Sequence, residues 1–115
     1  MQKIINIPNW HPTPLNKLIG GHWGSAGKRK KADRNLITCY TARLPQASMK
    51  RRVTLTITLG KGQRGCDPDA YWKSLLDALV HAGQLVDDSP KWVELAPVIF
   101  NRGQLASTIM LEDIV

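Results

Sequence analysis

Residues 64–95 read R-G-C-D-P-D-A-Y-W-K-S-L-L-D-A-L-V-H-A-G-Q-L-V-D-D-S-P-K-W-V-E-L, and the rest of the chain is organised around them. Asp67 and Asp69 are separated by one residue where a helix should begin. Asp67 can cap, Pro68 suits the first helical position, and Gly83 suits a left-handed C-terminal stop. Trp72, Leu75, Leu76, Leu79 and Val80 recur at the spacing of one apolar face, which predicts a helix over 68–82, while Asp69, Lys73 and Asp77 step along another face. Read blandly, Asp-Pro-Asp is a capped helix start, and Asp69 with Lys73 is a surface ion pair worth ~0.3–0.5 kcal/mol. Capping needs only one aspartate, however, and Asp67, Asp69, Asp87 and Asp88 all flank a single helix. Gathering three or four carboxylates is costly unless a cation neutralises them. Hard oxygen donors without a neighbouring His and Cys constellation favour Mg²⁺ or Mn²⁺ over zinc.

Upstream of this segment, residues 53–59 alternate Val, Leu, Ile and Leu with Thr, the period of a strand with one buried face. Gly60, Gly62 and Gly65 then form a flexible basic loop carrying Lys61 and Arg64 toward Asp67. Further back, Leu36, Ile37, Tyr40 and Leu44 mark one face of a helix over 26–44 that Pro45 stops. Its start, 26–34, holds Lys28, Arg29, Lys30, Lys31 and Arg34. Cations there oppose the helix macrodipole, and contact with phosphate is the simplest compensation; a solvated run at a frayed helix start is the bland alternative. Residues 9–27 show no period and read as a long irregular loop, in which Trp10, His11, Asn16, His22 and Trp23 could stack on or hydrogen-bond to a ligand, or simply pack on the core. Residues 3–7 form a short β-branched strand ended by Pro8.

Downstream, 92–100 reads as a strand interrupted or edged by Pro97. A turn at 101–103 would return the chain as a partner strand over 104–111. Together the elements predict one α+β domain spanning residues 1–115, a small mixed or antiparallel sheet of about four strands packed with two main helices.

Charge divides the chain. Residues 1–64 hold 13 Lys or Arg against one acid, and residues 65–115 hold three against eight, balances of +12 and −5 within the net +7. A cationic half suits a polyanionic partner, and the acidic half suits a metal at the same place. No run of ~18 apolar residues exists, so no membrane span is expected. The opening lacks a signal-peptide pattern, which points to the cytoplasm, and Cys39 and Cys66 read as reduced thiols.

The string D-x-D-x-x-x-K-x-x-x-D-A-L, followed by A-G and V-D-D over 67–88, resembles the RusA family of endodeoxyribonucleases, Holliday junction resolvases found largely in phages and prophages. The order of elements agrees from 53–59 through 104–111, and Pro14-Leu15-Asn16-Lys17 is weakly similar to a Pro/Asn-containing stretch of that family. The resemblance implies that Asp67, Asp69 and Asp88 are catalytic metal ligands, that Asp87 is a neighbouring acid and that Lys73 is an active-site lysine. It implies a homodimer that resolves four-way junctions and other branched DNA by paired nicks, using Mg²⁺. Ala70 stands where the family often has Asn, and Cys66 where an arginine can precede the first aspartate, so Arg64 would serve from two residues away. These departures leave open a non-catalytic phage protein binding DNA or RNA on the same scaffold, and a related flap or fork nuclease is a further alternative.

Overall fold

Alternation at the centre of the chain produces the centre of the sheet. In a computed structural model that describes residues 2–14 and 25–114, β2 (Arg51–Leu59) buries Val53, Leu55, Ile57 and Leu59 on one face and turns its threonines to the other. β5 (Ala106–Asp113) runs antiparallel beside it, and β1 (Gln2–Pro8) runs antiparallel to β5 on its far side. The register aligns the buried residues in rows across the three strands: Leu55, Ile109 and Ile5 form one, and Ile57 and Ile7 flank Ser107 in the next. These rows meet the helices, and burial of their apolar side chains supplies the main driving force for folding.

Two helices cover that face. α1 (Ser25–Thr41) connects β1 to β2 and buries Asp33, Ile37 and Thr41 at successive one-turn intervals. A four-residue 3₁₀ turn (Pro68–Tyr71) leads into α2 (Trp72–His81), whose Leu75, Ala78 and Leu79 pack in the same core. α2 stops as its sequence requires. Gly83 adopts φ +77, its N–H donates to the Val80 carbonyl, and Gln84 N–H donates to Leu79, the paired closing bonds of a left-handed helix stop. A Cβ at Gly83 would also meet the Gln46 side chain at 3.2 Å. No helix among the described residues is long and apolar enough to cross a membrane.

The α+β class and both helices match expectation, but the last third of the sheet does not. The expected hairpin between 92–100 and 104–111 is absent. Instead β3 (Val93–Leu95) and β4 (Ile99–Arg102) both lie parallel to β2 along one edge, and β5 is inserted between β1 and β2. Pro97 explains the break, because it has no N–H to donate to the ladder and is tolerated where an edge strand lapses. The helical crossover explains the parallel sense. The sheet therefore has five strands in place of about four. Pro45 does end the first helix region, although α1 closes three residues before Leu44, in a turn where Leu44 N–H donates to Thr41.

Candidate active site

The C-terminal end of β2 sets the geometry. There the loop over 60–66 is closed by Gln63: its N–H donates to the Gly60 carbonyl and its side-chain Oε1 accepts from Gly60 N–H at 2.7 Å. Gly62 takes φ +79 inside this turn, a conformation that side chains with a Cβ rarely adopt. Arg102, at the end of β4, donates to the carbonyls of Gln63 and Gly60 and so ties the loop to the sheet edge. Lys61, Arg64 and Arg102 line an open concavity of about 660 Å³. Sequence reasoning puts Arg102 in a turn and misses this role; its position at the end of an apolar strand opposite a glycine-rich loop is the available signal.

The loop delivers Cys66, whose N–H donates to the Tyr71 hydroxyl at 2.9 Å. Burial pushes the Tyr71 phenol above its ordinary value, so it remains protonated through neutral pH. This bond folds the chain back over the 3₁₀ turn and leaves Asp67 and Asp69 exposed on its outside. Capping by Asp67 is not observed. Its backbone carbonyl accepts from Ala70 N–H at 2.9 Å, and its side chain makes no capping bond. Among the described residues nothing pairs with the carboxylates of Asp67, Asp69, Asp87 or Asp88.

Lys73 is exposed on the first turn of α2. Asp77, further along the same helix, does not partner it but takes the Arg34 guanidinium in two bonds, of 2.7 and 3.1 Å. These bonds, together with the fields of Lys30 and Lys73, hold the Asp77 carboxyl below its usual range, and they hold Arg34 above its own. Arg34, expected to contact phosphate, is thus employed in clamping α1 to α2. Lys28, Arg29 and Lys31 remain exposed along the start of α1. Lys30, Lys31 and Arg34 line a second cationic concavity of about 350 Å³ with His81 from the end of α2.

Asp87 and Asp88 are also exposed, but they lie beyond the opposite end of α2, a helix roughly 15 Å long. Among the described residues no three His, Cys, Asp or Glu side chains are gathered to hold a metal ion. What one chain offers is therefore the Asp67–Asp69 pair, two hard oxygen donors without other partners among the described residues. That donor set fits Mg²⁺, which commonly binds through one or two carboxylates and completes its shell with water and substrate phosphate. Of the loop residues expected to meet a ligand, Trp10 and His11 are placed, whereas Asn16, His22 and Trp23 lie outside the described residues.

Asp33 has a role that no motif announces. Only 4 % exposed, it accepts from Trp10 Nε1, from Thr13 N–H at 3.0 Å and from Ser74 Oγ. It thereby fixes the segment after β1 against both helices. The spacing of Asp33, Ile37 and Thr41 on one helical face is the signal for its burial. No protein-family model matches the chain and no curated protein matches it, so the residues themselves carry the functional reading.

Proposed function

We propose that this protein is a metal-dependent endodeoxyribonuclease acting on branched DNA, a Holliday junction resolvase of the RusA type. The observation that carries the reading is the exposed Asp67–Asp69 pair, which has no partner among the described residues and directly follows the loop whose Lys61 and Arg64 line a concavity with Arg102. Carboxylates left without partners beside a cationic surface suit a ligand that brings both a cation and phosphate. The resemblance over 67–88 supports the same assignment.

In this reading Asp67 and Asp69 hold Mg²⁺ or Mn²⁺. When bound, the ion supplies charge neutralisation at the phosphoryl oxygen and a more acidic bound water. Lys73, exposed one turn after Asp69, neutralises charge on the phosphate. Lys61 and Arg64 position the backbone, and the lysines of α1 extend the contact along the duplex. Asp88 completes the acidic set from the partner subunit of a homodimer, since α2 separates it from Asp67 within one chain.

The lack of a three-residue metal cage among the described residues favours a second reading, in which the chain binds branched DNA without cleaving it. Incubating four-way junctions, flaps and plain duplex with the protein, with and without Mg²⁺, separates the two. Paired nicks in the junction that require Mg²⁺ are expected. A junction that is retarded in a gel but intact at every Mg²⁺ concentration would leave only the binder.

A further inference from the structure

Beside the carboxylate pair lies a smaller concavity of about 340 Å³, lined by His11, Thr13, Arg29, Arg64, Cys66 and Tyr71. Its volume falls within the ordinary range for small-molecule sites and is roughly ten times the ~30 Å³ share of one water. A bare phosphate would leave most of it empty. The two arginines make one side cationic, and among the described residues no acid lines it. Pro14 and Tyr71, both buried, make the other side apolar and rigid. His11 meets the Tyr71 ring edge-on at 5.7 Å between centroids. Its Nδ1 lies 2.8 Å from the Pro12 carbonyl, which fixes the ring's orientation. The segment bearing His11 and Thr13 is held in place by Asp33, and the neighbouring Cys66 by its bond to Tyr71.

We infer that this concavity takes a single unstacked nucleotide of the DNA, with its phosphate on Arg29 and Arg64 and its base against the half-buried His11. The inference rests on the nuclease reading and deepens it. Cys66 immediately precedes Asp67, so a nucleotide seated here adjoins the phosphate presented to the carboxylate pair. Drawing a base out of a stack costs least where pairing is already interrupted. The site therefore gives the protein a physical means of favouring branch points over continuous duplex, beyond the general pull of its charge.

The test uses the full chain and four-way junctions carrying 2-aminopurine at one position at or next to the branch, without divalent ions so that the DNA stays intact. Binding is followed by anisotropy in the same sample. At saturation, 2-aminopurine emission is expected to depart from that of the free junction at one branch-proximal position. The change should disappear with Arg64→Ala and with His11→Ala at protein concentrations that keep the junction bound. Emission equal to the free junction at every position, while anisotropy shows full binding, would overturn the nucleotide site and leave the nuclease reading intact. A change that persists undiminished in both variants would do the same. Absence of any DNA binding or Mg²⁺-dependent cleavage would remove both. Amide NMR offers a second check: deoxynucleoside monophosphates should shift Thr13, Cys66 and Tyr71 more than inorganic phosphate does. Equal shifts would count against a place for the base.

Discussion

A carboxyl group sealed among donors and one left in water do different work, and this chain holds both kinds. Asp33 lies under α1 with the Trp10 indole, the Thr13 amide and the Ser74 hydroxyl on its oxygens. Asp67 and Asp69 have no partner among the described residues. Replacing Asp33 with Ala orphans three buried or half-buried polar groups, and an unsatisfied buried group costs ~1–3 kcal/mol. Urea unfolding should show a loss of roughly 2–4 kcal/mol for that variant, whereas Asp69→Ala should unfold like the wild type. A similar contrast holds among the arginines. Arg51 is 4 % exposed and bonds Asp113 at 2.8 Å together with the carbonyl and side chain of Gln84, while Arg52, its neighbour, pairs with Glu94 in solvent. The difference is written in the sequence, because Arg51 falls in phase with Val53, Leu55 and Ile57.

At the scale of elements, the α1–α2 pair is held by Arg34 on Asp77 as well as by its apolar seam. The folded value of Asp77 lies below the ordinary carboxylate range because of Arg34. The stabilisation it contributes is therefore present at neutral pH and is lost as pH falls through that depressed value. The melting temperature of Asp77→Asn should fall below that of the wild type at neutral pH, and the two should converge in acid. A gap that widened in acid would contradict the assignment. α1 also carries the exposed basic run at its start. Substituting alanine at Lys28, Arg29, Lys30 and Lys31 should weaken binding across all DNA sequences and reduce the slope of log affinity against log salt by ~0.9 for each phosphate no longer neutralised. Helix positions, the glycine stop at Gly83 and the central strand are legible because each rests on a local rule. The pairing of β3 and β4 is not, because Pro97 announces a break without saying which strand the two halves will join.

For the whole molecule, the helices cover one sheet face and leave the other half-open, with Ile4 60 % exposed. The candidate site is legible in part. Asp67, Asp69, Lys73 and the basic loop follow one another in sequence, whereas Asp88, drawn to them by the count of aspartates flanking one helix and by the resemblance, stands beyond the opposite end of α2. In the proposed homodimer the third carboxylate would come from the partner subunit. Mixing Asp67→Asn with Asp88→Asn protein, each inactive alone, should restore part of the junction cleavage if the site is shared across a dimer; no recovery would confine each site to one chain. The most direct test of the central claim, that Asp67 and Asp69 hold the ion that meets DNA phosphate, is single-turnover nicking of a four-way junction in Mg²⁺ by the wild type and by Asp67→Asn and Asp69→Asn, with junction affinity measured alongside. Each variant is expected to lose at least about a hundred-fold in rate while binding the junction as tightly as the wild type or more so. Cleavage by the variants at the wild-type rate, or a wild type that leaves the junction uncut at every Mg²⁺ concentration, would contradict it.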